Sequence, residues 1–224
     1  IGEVRANITY LSKLPESEVD PAIRTLCRRL PWTAPIEEIS DALQKAAPHG
    51  PHIASAAVEN ALLEGIARGK GISVAEHLGA TWRSEVPTNQ CLFWGPDDRF
   101  DRLTARFLSE GFHDIKVRIA IGPFERDLAR LQRLRERAGP EIKIAVDANG
   151  AWGADEAIER LRALERFNLS YVEQPTQPGD WQAFERALRS VSMPLMLDES
   201  LSDEGDINRL ARLGSPALAH LKIV

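Results

Sequence analysis

The sequence predicts an α/β protein: a (β/α) barrel, truncated to about six of eight units, preceded by part of a smaller domain. Three observations predict it. From about residue 87, short apolar runs alternate with amphipathic stretches at a period near 25 residues. Those runs are too apolar to show one wet face, as expected of parallel strands covered by helices. Before that point, apolar residues recur at helical spacing. The chain therefore divides into an N-terminal domain, residues 1–86, of which the mainly helical part is present, and a partial barrel domain, residues 87–224.

The bulk composition agrees. Hydrophobic residues make up 43% and charged residues 27% of the 224, which is the profile of a globular rather than a disordered chain. The net charge is −5 with acids and bases interspersed. No basic patch points to nucleic acid, and no apolar run is long enough to span a membrane. Cys27 and Cys91 lie far apart in unrelated segments, which argues against a disulfide framework and fits a cytoplasmic setting.

Taken in order, Ile1–Arg5 reads as the end of a strand. Val19, Ile23, Leu26 and Leu30 mark a first helix with Pro21 near its first turn. Ile36, Ile39, Leu43 and Ala46 mark a second, ended by Pro48 and Gly50. A third, rich in Ala, runs from Ala54 to Ala67. Six strands follow: Asn89–Trp94, Ile115–Ala120, Ile142–Asp147, Leu169–Glu173, Pro194–Asp198 and Ala217–Ile223. Between them lie helices carrying Leu128, Leu131 and Leu134, then Ile158, Leu161 and Leu164. The Arg/Glu-rich run Glu125–Arg137 reads as a solvated helix face with i,i+4 pairs. A barrel needs eight strands, so the natural protein is expected to be longer than this chain.

The chemistry is concentrated where strands finish. The third ends Val146-Asp147-Ala148-Asn149-Gly150, the fourth Val172-Glu173-Gln174-Pro175, the fifth Leu197-Asp198-Glu199-Ser200. In a barrel the C-terminal strand ends converge on one face, where catalytic residues sit. Asp147, Glu173 and Asp198 would then share a small volume, and such charges repel unless a cation or protons neutralise them. Hard oxygen donors at this density favour Mg²⁺, with Mn²⁺ as substitute. A single acid at a strand end is also an ordinary helix cap; three in succession are harder to assign to capping. Lys116 and Arg118 share one face of the second strand, with Val117 on the other. Lys222 sits in the apolar last strand, where partial desolvation would suit it to act as a general base. His220 ranks lower, since it faces the same way as Lys222 only if the strand is regular. His49, His52 and His77 read as surface or junction residues, and Trp152 as a packing anchor. No phosphate-binding Gly fingerprint is present.

Together, Lys116-Val117-Arg118, Val146-Asp147-Ala148-Asn149-Gly150-Ala151-Trp152, Tyr171-Val172-Glu173-Gln174-Pro175, Leu197-Asp198-Glu199-Ser200 and Leu221-Lys222 resemble the enolase superfamily. The likeness is to its mandelate racemase and muconate lactonizing enzyme branch. The intervals are 29 (118 to 147), 26 (147 to 173), 25 (173 to 198) and 24 (198 to 222), and they look like the muconate-lactonizing subgroup. Ala54–Glu85 and Val86-Pro87-Thr88 are similar to the junction between capping domain and barrel in that family.

The resemblance implies an α+β capping domain before an enolase-type barrel, and Mg²⁺ held by Asp147, Glu173 and Asp198. It implies an isomerase or lyase that removes the proton α to the carboxylate of a small-molecule substrate through a metal-stabilised enediolate. Cycloisomerisation, β-elimination, or racemisation and epimerisation would follow. It also implies Lys116 as a group holding the substrate carboxylate, Lys222 as base, Asn149 and Glu199 as substrate-orienting or supporting groups, and a homo-oligomer. The family usually has Lys where this chain has Arg118, and a guanidinium is effectively never deprotonated. One-base chemistry through Lys222 is therefore expected, with Arg118 as an electrostatic clamp. The alternative is a catalytically silent homologue that keeps the fold for binding or assembly.

Overall fold

The computed structural model describes residues 1–7, 14–81, 85–214 and 216–222. Two compact units are present: Ile1–Val86, to which Lys222 at the far end of the chain is joined, and Pro87–Leu221.

The described residues of the first unit form helices α1 (Glu16–Cys27), α2 (Ile36–Ala46), α3 (His52–Lys70) and a short α4 (Val74–His77). Helix α1 begins early enough that Pro21 lies inside it, where the ring forgoes one i→i−4 bond. The Thr25 hydroxyl donates back to the Pro21 carbonyl at 2.8 Å. Leu30, Ile39, Leu43, Val58 and Leu62 form the core, with Ile23 and Leu26 packed on it. The expected strand at Ile1–Arg5 is not there. A strand exists only through a partner ladder, and none is offered by the described residues of this unit.

The second unit alternates as its sequence predicts: β1 (Gln90–Leu92), α5 (Asp97–Ser109), β2 (Asp114–Arg118), α6 (Phe124–Ala138), β3 (Lys143–Asp147), α7 (Ala154–Leu164), β4 (Tyr171–Glu173), α8 (Trp181–Leu188), β5 (Leu195–Leu197), α9 (Glu204–Leu213) and β6 (Ala217–Ala219). All six strands are parallel and lie in sequence order, β1 to β6. This singly wound order is that of a (β/α) barrel.

Register sets the two faces. Val117, Val146, Val172 and Leu195 lie in one row across the sheet. All are buried in the core with Leu131, Leu134, Leu161, Leu164 and Phe184 from the helices. The neighbouring row, of opposite parity, is Arg118, Asp147, Glu173 and Met196. One face therefore packs on helices and the other carries the charged side chains. The ladders are shorter than the apolar runs. The last run, expected over Ala217–Ile223, is strand only through Ala219, and Ile223 lies outside the described residues.

The charged run on α6 is not simply solvated. Arg130 and Asp127 are each 1% exposed. Arg130 donates to Asp97 at 2.6 Å and to the Gly95 carbonyl, and stacks 4.5 Å from the Trp94 ring centre. Asp127 accepts from the Ala120 backbone at 2.8 Å. An arginine-rich face can be core wherever a carboxylate and an aromatic ring meet it, and periodicity alone does not reveal those partners.

Candidate active site

Strand β2 alternates part-buried Asp114, Lys116 and Arg118 with buried Ile115 and Val117. Asp147 and Glu173 are the last residues of β3 and β4, and Asp198 follows the last residue of β5. All three carboxylates are buried, Glu173 most completely at 1% exposure. Lys116 Nζ donates to Glu173 Oε2 at 2.9 Å and lies 3.7 Å from Asp147 Oδ2. Arg118 Nη1 lies 3.7 Å from Asp147 Oδ1. Two cations thus line one flank of the carboxylate row.

The other flank holds a residue that sequence reasoning ranked low. His220 Nδ1 lies 2.9 Å from Glu173 Oε1 and 3.7 Å from Asp198 Oδ2. The signal was parity. Leu218 pairs with Met196, in the row of Glu173, and the His220 backbone N–H still donates to the Leu197 carbonyl at 2.8 Å. Alternation therefore continues one residue past β6. Glu173, Asp198 and His220 each bring a ligand atom within 4.8 Å of the others. Lys222 is part-buried and belongs with the first unit.

Electrostatics follow from this crowding. Burial and the Glu173 charge push the Asp147 carboxyl above the usual carboxylate range, against a hydrogen bond from the Asn149 backbone and the charges of Lys116 and Arg118. Burial also opposes ionisation of Glu173, but its bonds to His220 and Lys116 outweigh it and hold it below that range. Burial disfavours the Lys116 ammonium, yet the bond to Glu173 and the charges of Glu173 and Asp147 prevail, so its pKa is raised. Lys116 is a persistent cation in this arrangement. Hard oxygen donors on adjacent strands, one of them unsettled by its neighbour's charge, suit a small divalent cation.

The rim is braced by amides. Asn149, with φ of 40°, donates from Nδ2 to Glu199 Oε1 at 2.8 Å and ties the β3 loop to the β5 loop. Gln174, also left-handed at φ 37°, is fully buried beside Asp198 and Ser200. Sequence reasoning passed over Gln174 and Ser200, because neither residue type carries chemistry that would single it out. Trp152 is a packing anchor, 1% exposed and edge-to-face with Phe124 at 6.0 Å.

Comparison with known proteins agrees with this architecture. The family model described as Enolase C-terminal domain-like matches residues 99–224, more than half of the chain. An L-Ala-D/L-Glu epimerase of Bacillus subtilis (strain 168) is 28% identical over 173 residues, covering 76% of this chain and 47% of that protein. An o-succinylbenzoate synthase of the same organism is 31% identical over 185 residues, covering 83% and 48%. The chain thus spans about half the length of these curated relatives. The solved structure of a dipeptide epimerase from Cytophaga hutchinsonii, complexed with Mg and the dipeptide D-Ala-L-Val, matches with a TM-score of 0.77 at 22% identity. It covers 92% of this chain and 56% of that one, and at such identity the likeness is one of fold.

Proposed function

The chain belongs to the mandelate racemase/muconate lactonizing enzyme family of the enolase superfamily, and on that premise we propose that it is part of a Mg²⁺-dependent isomerase or lyase. The enzyme would remove the proton α to the carboxylate of a small-molecule substrate. What carries the reading is the set of three buried carboxylates at the ends of β3 and β4 and just after β5, with two cations beside Asp147 and Glu173.

Asp147, Glu173 and Asp198 would hold the ion. Bound there, Mg²⁺ supplies a fixed positive charge toward the substrate carboxylate as negative charge develops, without which an α-proton is too weak an acid for a side-chain base. The chain's own groups do the rest. Lys116, kept protonated by Glu173, binds a carboxylate oxygen and shares its growing charge. Arg118 clamps the same end of the substrate and accepts no proton. Lys222 receives the α-proton on Nζ. The Asn149–Glu199 pair orients the substrate from the rim.

With a single base, the products are those of elimination or cycloisomerisation. A second reading, epimerisation, is favoured by the epimerase named among the relatives, and would need a proton acceptor on each face. Incubating each enantiomer of a chiral carboxylate substrate in ²H₂O separates the two. Exchange from one face alone is the expected result, and comparable exchange from both faces overturns the one-base mechanism. The broader proposal is tested by Mg²⁺-dependent turnover across a panel of carboxylates with Lys222→Ala as control. Turnover that survives chelation of all divalent metal would sink it.

A further inference from the structure

We infer that Gln174 is a positioning residue: its side-chain amide braces the rim of β4 against the rim of β5 and so fixes the spacing of Glu173 and Asp198. The inference rests on the metal-ligand reading above.

The backbone ladder between these strands runs out at the site. Val172 N donates to the Pro194 carbonyl at 3.0 Å and Gln174 N to the Met196 carbonyl at 2.8 Å. Gln174 then takes a left-handed turn at φ 37°, a conformation uncommon outside glycine and costly to hold. Beyond this point the side chain supplies the partners. Gln174 Oε1 accepts from Asp198 N at 3.0 Å and from Ser200 N at 3.2 Å. Its Nε2 donates to the Thr176 carbonyl at 2.9 Å and to Ser200 Oγ at 2.7 Å. Ser200 Oγ in turn accepts from Gly179 N at 3.1 Å.

A primary amide has two N–H groups and two acceptor sites on its oxygen. All four are used, and the residue is 0% exposed. Placement separates this from ordinary satisfaction of a buried polar group. Gln174 is bonded in chain to Glu173 and grips the backbone N–H of Asp198 itself, so movement of the amide moves one carboxylate against the other. A carboxylate in its place lacks the donors, and an apolar side chain takes this acceptor from the buried N–H groups of Asp198 and Ser200. The Gln174 carbonyl also accepts from Gly150 N at 2.7 Å, which extends the brace toward the loop after Asp147.

The test uses the full-length protein with Mn²⁺ as probe, followed by electron paramagnetic resonance of free and bound ion. Gln174→Leu should weaken Mn²⁺ binding by about 10- to 100-fold, as loss of groups that orient metal ligands does, and should change the bound-ion line shape. Ser200→Ala, which removes one arm of the brace, should weaken binding in the same direction by a smaller factor. It decides alone if Gln174→Leu does not fold. Wild-type affinity and line shape in the folded variants, even with a lowered melting temperature, overturn the inference. Failure of the wild-type protein itself to bind Mn²⁺ overturns the metal reading on which it stands, and the two failures are thereby told apart.

Discussion

A lysine whose charge is locked and one free to change it have opposite uses, and Lys116 is of the first kind. Its ammonium sits 2.9 Å from Glu173 and 3.7 Å from Asp147, and those charges outweigh the desolvation that would otherwise neutralise it. In the proposed reaction Lys222 takes the proton. Lys222→Ala is expected to lower kcat by about 10²–10⁴-fold, the range of a lost general base, and to abolish deuterium incorporation into substrate. Arg118 invites the complementary change. Arg118→Lys introduces a group that can deprotonate, and α-proton exchange should appear on the second face. ¹H NMR of both recovered enantiomers reads it, and exchange still confined to one face would mean that Arg118 does not border the α-carbon. Lys116, Arg118 and the three carboxylates were legible in the sequence because each is an ionisable residue interrupting or closing an apolar run. His220 was discounted because strand regularity past Ala219 is set by its backbone bond to Leu197, a long-range pairing that residue types do not announce.

At the scale of elements, strand positions were legible and their ends were not. Asn89–Trp94 reads as one strand in the sequence, yet the ladder covers only Gln90–Leu92. Trp94 leaves the sheet to stack under Arg126 and Arg130, 4.6 and 4.5 Å from its ring centre. The same two arginines bind Asp97 at the start of α5 and so fasten α6 to it. Asp97→Ala should therefore cost about 2 kcal/mol, the order expected when buried Arg130 donors lose a partner, with the Gly95 carbonyl still accepting from Arg130. Arg130→Met should cost less, because Asp97 keeps Arg126 and the apolar stem is replaced. Urea denaturation of both variants checks the order, and the reverse order would show stacking to be the larger contribution. The sign with pH follows from direction. Hydrogen bonds from Arg130 and Arg126 hold the Asp97 carboxyl below its usual range. Its stabilisation is complete above about pH 4, the ordinary carboxylate value, and is lost as pH falls through the depressed folded value. An Asp97→Asn variant should lack that part of the acid sensitivity.

For the molecule as a whole, the face of the sheet that carries the charged side chains is also where ionisation of one of them opposes folding. Burying Asp147 beside the Glu173 charge sets like charges together, and the Asp147 carboxyl responds with a raised pKa. Its native form binds a proton more tightly than the unfolded chain does. This group's contribution to stability therefore falls as pH rises above about 4 toward the raised value. Glu173, held low by His220 and Lys116, acts in the opposite sense: its stabilisation is present above about pH 4 and is lost on further acidification. On the proposed metal reading, a cation that binds only the native carboxylates would offset the repulsion at neutral pH. At a Mg²⁺ concentration about 100 times Kd, native-state binding adds about 2.7 kcal/mol. For a protein of this size each kcal/mol moves the melting temperature by about 2–4 °C, so the expected rise over a chelated sample is about 5–10 °C. The rise should shrink as pH is lowered, because protons compete for the same oxygens. Asp147→Asn should reduce it at neutral pH while raising the melting temperature of the metal-free protein, since one charge leaves the row. Differential scanning calorimetry with Mg²⁺ or chelator at several pH values measures all three effects. Equal melting temperatures with and without Mg²⁺ would mean that Lys116 and Arg118 already offset these charges, and that no further cation is needed there.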